Sequence, residues 1–207
     1  MRIGILADIH GQLDPLKNAL ALLQEANVDQ IVVLGDMLDG LGELSDATTI
    51  VNLLDQANAS GVWGNHDFGL CHQVMDEARE IYSPTVFDFM KTMRPRLEIE
   101  GCYFSHCEPW VNPYDLMELW TFDGYPDTVE KVQRSFRAVT HRHMFIGHFH
   151  RWIVMTPTDR VDWEGESVLR LDGKSRYLVV VPAVYEGHCA IFDTETSDLT
   201  PMLSAGQ

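Results

Sequence analysis

The sequence lacks long hydrophobic runs and is poor in cysteine and in basic residues, and each shortage excludes a class of protein. No apolar stretch approaches the ~20 residues that a membrane-spanning helix needs. The apolar N-terminal stretch meets Asp8 too soon to be a signal peptide. The four cysteines have neither the density nor the spacing of a disulfide scaffold or a zinc site. We therefore expect reduced thiols, a cytoplasmic location and no membrane association.

The shortage of basic residues restricts the partners. Lysine and arginine total 15 against 31 aspartate and glutamate, which gives a net charge of −16 at pH 7. A surface of that sign repels nucleic acid and anionic lipid, so we expect no non-specific binding of either. An anionic substrate would need positive charge at its own site, and a bound metal would supply it. Nine histidines are available to hold one.

The order of hydrophobic patterns predicts an α/β fold. The first half alternates short apolar strands with amphipathic helices, and the last third is rich in strands separated by Gly and Asp turns. This order favours two packed sheets with helices outside. With 207 residues and no linker or repeat, we expect one domain over 1–207. Strands are predicted at 2–7, 31–34, 61–63, 97–105 with a turn at 100–101, 144–147, 152–156, 168–171, 177–182 and 189–193.

Capping residues predict where the helices begin. Asp and Ser are favoured at the N-cap because their side chains accept from N–H groups that have no intrahelical acceptor, and Pro is favoured at the first helical position. The helical stretch after residue 67 is expected to reach about Met93, with a restart inside it. The predicted starts are Asp14 before Pro15, Asp46 or Ser45, Ser83 before Pro84, and Asp127 in a capping box with Glu130.

Five apolar strands each end in polar residues that can hold a metal. In open α/β sheets, ligands bind beyond the carboxyl ends of the strands, so neighbouring strand ends would gather these side chains in one place. Alternate residues of an extended segment point the same way, so both ends of Asp-x-His or His-x-His can face one site. The five motifs are Asp8-Ile-His10, Gly35-Asp36, Gly64-Asn65-His66-Asp67, Ser105-His106 and Gly147-His148-Phe149-His150.

The donors in these motifs suit a pair of metal ions. Imidazoles, two carboxylates and one amide, without a thiolate, are typical ligands of Mn²⁺, Fe²⁺, Co²⁺, Ni²⁺ or Zn²⁺. Seven ligands are too many for one tetrahedral ion and fit two. Asp36 could bridge ions about 3.5–4 Å apart and lower the pKa of a shared water to about 7.

In this order, D-x-H, G-D, G-N-H-D, H and G-H-x-H, the motifs resemble those of the calcineurin-like metallophosphoesterase superfamily in its compact single-domain prokaryotic form. The resemblance runs from Met1 to about Trp152. It implies a four-layered α/β/β/α sandwich of two mixed sheets flanked by helices, with a two-metal centre where loops of the two sheets meet. The implied ligands are Asp8, His10 and His150 for the first metal, Asp36 as the bridge, and Asn65, His106 and His148 for the second.

The resemblance also implies the chemistry. His66 would bind no metal and would act as the general acid that protonates the leaving oxygen, and Asp39 would pair with it. A hydroxide bridging two divalent ions would attack phosphorus in line. We therefore expect a metal-dependent phosphoesterase acting on a small soluble phosphodiester or phosphomonoester, with Mn²⁺ as the first choice of metal.

Two other functions stay open. A serine/threonine protein phosphatase would have Arg after Asp39, where this sequence has Gly40. It would also have a second Arg in the helical region after the Gly-Asn-His-Asp motif, which is missing here, although Arg79 could reach the site from elsewhere. A non-catalytic scaffold with the same fold would have lost ligands, whereas all seven and His66 are present here. A nuclease is disfavoured by the negative charge.

The segment 108–126 follows the strand that ends at His106 and is rich in aromatic residues. These residues could form a wall over the site for a nucleoside or an aryl group, or pack beneath a long loop. We favour the second interpretation. The aromatic residues are Trp110, Tyr114, Trp120, Phe122 and Tyr125.

Overall fold

The strands form two mixed sheets in the computed structural model, which describes residues 1–39 and 46–204. In chain order they are β1 (Arg2–Leu6), β2 (Gln30–Val33), β3 (Ser60–Gly61), β4 (Leu97–Ile99), β5 (Cys102–Ser105), β6 (His143–Ile146), β7 (Ile153–Met155), β8 (Leu169–Arg170), β9 (Tyr177–Val180), β10 (His188–Asp193) and β11 (Asp198–Leu203). The first sheet has the order β3-β2-β1-β10-β11-β8, and the second β4-β5-β6-β9-β7. The pairs β1–β2, β2–β3, β5–β6 and β6–β9 are parallel, and the other pairs are antiparallel.

Helices cover the outer faces of the two sheets. They are α1 (Leu13–Glu25), α2 (Ala47–Gln56), α3 (Phe68–Cys71), α4 (Asp76–Ile81), α5 (Pro84–Met90), α6 (Leu116–Leu119) and α7 (Val129–Ala138), with a 3₁₀ helix at Val184–Glu186. Within the described ranges 1–39 and 46–204, none has both the length and the hydropathy of a membrane span.

Three buried clusters lie between the layers. Leu16 of α1 packs in the cluster that contains Leu6 of β1. The adjacent Ile5 points to the opposite face of β1 and shares the cluster between the sheets with Phe145. Phe136 of α7 lies in a third cluster, on the outer face of the second sheet. The predicted four-layered α/β/β/α sandwich is confirmed.

Several predicted helix starts differ in the structure. The prediction of Asp14 as an N-cap was wrong, since α1 begins one residue before it and Asp14 lies in the first turn. The cap of α7 is Thr128 rather than Asp127, because the Thr128 hydroxyl accepts the N–H of Lys131 at 3.4 Å. Asp46 precedes α2 without a side-chain capping bond. Ser45, the alternative cap, lies outside the described residues, as does Gly40.

Two further elements differ from the expectation. The helical stretch after residue 67 divides into α3, α4 and α5, and α5 begins with Pro84 after Ser83, as predicted. Strand β11 was not predicted. It contains Pro201, which cannot donate to a ladder and lies opposite Ala190 of β10. In the structure β8 pairs only with Asp198 and Leu199 of β11, so Pro201 lies beyond that pairing.

Candidate metal centre

Side chains from both sheets meet at the carboxyl ends of β1, β2, β5 and β6. The backbone N–H of Asp8 donates to the carbonyl of Gly35 at 3.1 Å, which joins the loops after β1 and β2. The backbone N–H of His148 donates to the two carboxylate oxygens of Asp8 at 3.0 and 3.2 Å, which joins the first sheet to the second. The seven candidate ligands lie around this junction in two groups.

The first group, which we name the inner group, consists of Asp36, Asn65, His106 and His148. Nε2 of His106 lies 2.9 Å from Oδ1 of Asn65, 3.3 Å from Oδ2 of Asp36 and 3.2 Å from Nδ1 of His148. Nδ1 of His148 is 3.1 Å from the same oxygen of Asn65. The side chains of His106 and Asp36 are only 1% and 2% exposed, so water has little access to them.

The second group, which we name the outer group, consists of Asp8, His10 and His150. Nε2 of His150 lies 3.4 Å from Oδ1 of Asp8 and 3.4 Å from Nε2 of His10. Nε2 of His10 is 3.9 Å from Oδ2 of Asp36, the oxygen that also faces His106. Asp36 therefore lies between the two groups.

Three of the candidate histidine ligands each have one ring nitrogen hydrogen-bonded to a group outside the cluster. Nδ1 of His106 donates to the carbonyl of Leu34 at 2.7 Å. Nδ1 of His10 donates to Oδ1 of Asp39 at 2.6 Å. Nδ1 of His150 shares a 3.0 Å hydrogen bond with the hydroxyl of Tyr185. Metal-binding histidines are commonly oriented in this way, with the second nitrogen left for the ion.

The donor set fits divalent cations. Because His106 donates its Nδ1–H to Leu34, the neutral ring presents a lone pair at Nε2 to the oxygens of Asp36 and Asn65. Lone pairs at this distance repel each other unless a proton or a cation lies between them. Burial raises the pKa of the neighbouring Cys107 thiol well above its usual value, and in the metal-free protein the thiol donates to the carbonyl of Leu119 at 3.7 Å. Nitrogen and oxygen donors without thiolate suit first-row divalent metals.

The electrostatics of the inner group favour one positive charge. Burial disfavours the charged ring of His106, but the carboxylates of Asp36 and Asp8 outweigh it and raise its pKa to about 9. Burial and the charge of His106 lower the pKa of His148 to about 3. Although burial alone would raise it, His106 and His66 hold the pKa of Asp36 well below its usual value. At neutral pH a cation would therefore replace the proton on His106.

The backbone around the centre adopts an uncommon conformation. Five of the seven candidate ligands have φ between 48° and 68°, the left-handed region that Asp, Asn and His enter more readily than other non-glycine residues. Glycine is required beside them, because a Cβ on Gly64 would lie 2.0 Å from Oδ1 of Asp36. The five ligands are Asp8, His10, Asp36, His148 and His150.

The two predicted catalytic residues lie at the solvent side of the centre. Nδ1 of His66 is 3.5 Å from Oδ1 of Asp39, while Nδ1 of His10 is only 2.6 Å from the same oxygen. Asp39 therefore contacts both a candidate ligand and the candidate acid. The backbone N–H of His66 donates to Oδ1 of Asp36 at 2.9 Å, so His66 is tied to the candidate centre through its main chain.

Sequence reasoning missed two residues that support the centre. Tyr185 lies on the 3₁₀ helix, far along the chain from His150, and no sequence pattern marks it. Asp67 is fully buried, and its carboxylate accepts the N–H groups of Met37, Leu38 and Gly64 at 3.1–3.3 Å. Asp67 is part of the Gly-Asn-His-Asp motif, which is the signal that could have identified it.

Arg79, which the sequence left as a candidate to reach the site, lies elsewhere in the structure. The guanidinium of Arg79 lies 5.7 Å from the ring centre of Phe87, on the surface of α4 and α5. Arg151 and Arg160 instead line a cavity of about 350 Å³ next to His150. Sequence reasoning did not associate these two positively charged side chains with the site.

The aromatic segment 108–126 divides between the two interpretations. Trp110 lies beneath the guanidinium of Arg134, which is 3.4 Å from its ring centre. Trp120, in contrast, is 50% exposed, and its ring centre is 4.8 Å from that of His66. One aromatic residue of the segment therefore borders the site, against the interpretation that we favoured.

Comparison with known proteins identifies the class. Residues 1–181 match the model of the calcineurin-like phosphoesterase superfamily domain, so the chain belongs to that superfamily. It is accordingly a hydrolase acting on phosphoric ester bonds. A single domain over 1–207 stays a prediction.

The relatives are distant. An uncharacterized protein of Methanocaldococcus jannaschii is 25% identical over 193 residues, which cover 86% of this chain and 73% of that protein. The fold is similar to that of a metallophosphoesterase from Sphaerobacter thermophilus, with a TM-score of 0.79 and 21% identity over 100% of this chain and 89% of the other. It is also similar to that of an archaeal phosphodiesterase, with a TM-score of 0.54 and 14% identity over 98% and 99% of the two chains. A candidate diadenosine tetraphosphatase has a TM-score of 0.60 and 18% identity over 100% and 95%.

Proposed function

We propose that the chain is a dinuclear metallophosphoesterase that hydrolyses a small phosphodiester or phosphomonoester in the cytoplasm. The observation that carries the proposal is the direction of the donors, since His10, His106 and His150 each have one nitrogen engaged outside the cluster and the other facing it. Divalent cations, Mn²⁺ first among them, would supply charge stabilisation at the phosphoryl group and activate water near neutral pH. Asp8, His10, Asp36, Asn65, His106, His148 and His150 would hold them.

The chain's own residues then account for the leaving group. His66 lies at the solvent side of the centre, where it can donate a proton to the departing oxygen. The carboxylate of Asp39, 3.5 Å from Nδ1 of His66, can accept a hydrogen bond from that nitrogen and so orient the ring. Because Asp39 also holds His10, the proton donor and a metal ligand share one orienting group.

A small substrate is supported by the chain's charge and by the two arginines near the site. The net charge of −16 disfavours nucleic acid. Arg151 and Arg160, in the cavity beside His150, could offset part of a substrate's negative charge. The neighbours named as a phosphodiesterase and a candidate diadenosine tetraphosphatase agree with small phosphate esters, without selecting monoester or diester.

The metal requirement is tested by activity and metal content together. Purified protein with Mn²⁺ should cleave p-nitrophenyl phosphate or bis-p-nitrophenyl phosphate and bind two ions per chain. Asp36→Asn removes a charge between the two groups and should lower kcat/KM by about a thousandfold or more, since several kcal/mol of stabilisation is lost. Asp14→Asn, on an exposed helix position, is the control. Less than one ion per wild-type chain would contradict the proposal.

The role of His66 is tested by the leaving group. His66→Gln should slow hydrolysis of an alkyl phosphate ester by about 10²–10⁴-fold, the usual contribution of a general acid. The loss should be much smaller for a p-nitrophenyl ester, whose leaving group needs little protonation. His141→Gln, a histidine paired with Glu98 away from the site, serves as the control. Full turnover of the alkyl ester by His66→Gln would show that another group donates the proton.

A further inference from the structure

A cluster of exposed apolar side chains lies in the segment that follows His106 and reaches the site at Trp120. Among the described residues, five of the large hydrophobic side chains with high exposure lie within nine positions of the chain. Clusters of this kind mark binding surfaces more often than isolated exposed residues do. The five are Tyr114, Leu116, Met117, Trp120 and Phe122.

This surface is held in place rather than loose. The indole N–H of the buried Trp63 donates to the carbonyl of Pro113 at 3.0 Å. Asp115 caps α6 by accepting the N–H groups of Met117 and Glu118 at 2.9 and 3.2 Å. Leu119, the last residue of α6, is buried in the core. The next residue, Trp120, is therefore fixed at the surface by the helix that precedes it.

Trp120 lies directly beside the proton donor. The centres of the Trp120 and His66 rings are 4.8 Å apart, with the ring planes inclined at 51°. A leaving group that receives a proton from His66 would therefore lie within reach of this indole. We propose that Trp120 stacks on a planar aromatic ring in the leaving group of the ester, such as a nucleobase, and so determines substrate preference. The inference rests on the proposed role of His66.

The surroundings favour an uncharged planar ring over an anionic group. Asp115, Glu118 and Asp123 give the segment a negative charge, which repels a second phosphate. Phe122, two residues after Trp120, is also exposed and contacts Phe149, the residue between His148 and His150. Stacking on exposed aromatic rings is the interaction that this combination offers.

A pair of substrates with the same leaving hydroxyl isolates the effect of the ring. Adenosine 5′-monophosphate and ribose 5-phosphate, or their methyl diesters, differ in the base but not in the bond that breaks. Trp120→Leu should lower the ratio of kcat/KM for the nucleoside ester to that for the ribose ester by about tenfold, the loss expected for one base–aromatic stack. Trp120→Phe should restore part of the ratio. Val168→Leu, at a position that is 56% exposed and outside this surface, should leave it unchanged.

Binding can be measured without turnover. Of the five tryptophans, Trp63, Trp152 and Trp163 are buried and Trp110 is half-buried, so Trp120 is the indole most open to a ligand. Adenosine should quench tryptophan emission in a saturable way, ribose should not, and Trp120→Phe should remove the response. This readout decides the stacking site even if neither ester is hydrolysed. The proposed function fails separately, if the p-nitrophenyl esters are not cleaved either.

Three results would overturn the inference. The first is an unchanged substrate ratio in Trp120→Leu, and the second is equal losses on both esters, which would make Trp120 a support for His66. The third is emission that changes with protein concentration but not with adenosine, which would assign the ring to a contact between two copies of the chain.

Discussion

The inner and outer groups of the centre contain similar donors in different surroundings. In the inner group, His106 is fixed by the backbone carbonyl of Leu34 and its side chain is 1% exposed. In the outer group, His10 and His150 are 15% and 32% exposed. Their outer nitrogens are engaged by the side chains of Asp39 and Tyr185.

The difference separates a group whose central donors are buried from one whose two histidines are partly open to solvent. A missing donor in the inner group leaves a cavity among buried charges, which water reaches with difficulty. A missing donor in the outer group can be replaced by water, as hydrated metal ions readily allow. The comparison predicts that the outer group is where substrate oxygens can enter.

The largest effect expected from this comparison is on metal occupancy. His106→Ala should reduce bound Mn²⁺ from two ions to one and lower kcat/KM by about a thousandfold or more, because several kcal/mol of charge stabilisation are lost. His150→Ala should keep both sites, with about 10–100-fold weaker binding that excess metal restores. Metal analysis and activity at increasing Mn²⁺ test both. If excess Mn²⁺ restored metal binding in His106→Ala but not in His150→Ala, the outer group would be the one that cannot lose a donor, contrary to the comparison.

The next effect is a dependence of metal binding on pH. Since the pKa of His106 is raised to about 9, the metal-free protein carries its proton at pH 7, and binding must release it. Affinity should rise about tenfold per pH unit from pH 7 toward 9. Calorimetry in buffers of different ionisation enthalpy should show about one proton released. Release of almost no proton would mean that His106 does not carry a proton in the metal-free protein at pH 7.

The same shift affects the stability of the metal-free protein. A histidine with a raised folded-state pKa stabilises the fold below its unfolded value of 6.5, and the contribution disappears as pH rises through 9. Chelator-treated protein should therefore lose thermal stability between these pH values. His106→Gln should remove that dependence.

A smaller effect is expected from the support of the outer group. Tyr185→Phe removes the hydroxyl 3.0 Å from Nδ1 of His150 but keeps the ring. Metal affinity should fall by about tenfold, the lower end for an outer partner of a ligand, because the position is partly exposed. Titration with Mn²⁺ measures the change, and Tyr114→Phe is a matched control. No change would mean that His150 is oriented by Asp8 alone.

The smallest effect is on stability alone. Asp67→Asn replaces one of two accepting oxygens with a donor that faces backbone N–H groups. The cost of an unsatisfied buried donor, about 1–3 kcal/mol, should lower Tm by about 3–10 °C. Thermal unfolding followed by circular dichroism checks this, with Asp29→Asn at a solvent-facing loop as the comparison. An unchanged Tm would show that the hydrogen bonds of Asp67 do not stabilise the structure around the centre.

The position of the cluster was predictable because its signals are local. Each candidate ligand lies within four residues of the end of a strand, and parallel strands place their carboxyl ends together. The prediction could not extend to Tyr185, because it reaches the site through tertiary contacts. The N–H groups of Val184 and Tyr185 donate to the carbonyls of Ala7 and Asp8, which brings the 3₁₀ helix to the end of β1.

The helix caps and the aromatic segment show a different limit of prediction from the sequence. Asp127 and Thr128 are both good capping residues, and only the backbone geometry selects the second. α6 has four residues, too few for a helical period to be visible in sequence. The outward position of Trp120 follows from the burial of Leu119, which depends on the core and not on the local pattern.

The left-handed backbone at five candidate ligands limits how this centre can be redesigned. Asp, Asn, His and Gly tolerate that conformation, whereas β-branched and bulky residues are strained in it. Converting Asp8 or Asp36 to a longer or branched side chain would disturb the loop as well as the ligand. Engineers who wish to change the metal preference should therefore alter the groups around it, such as Tyr185 and Asp39, and leave the main chain as it is.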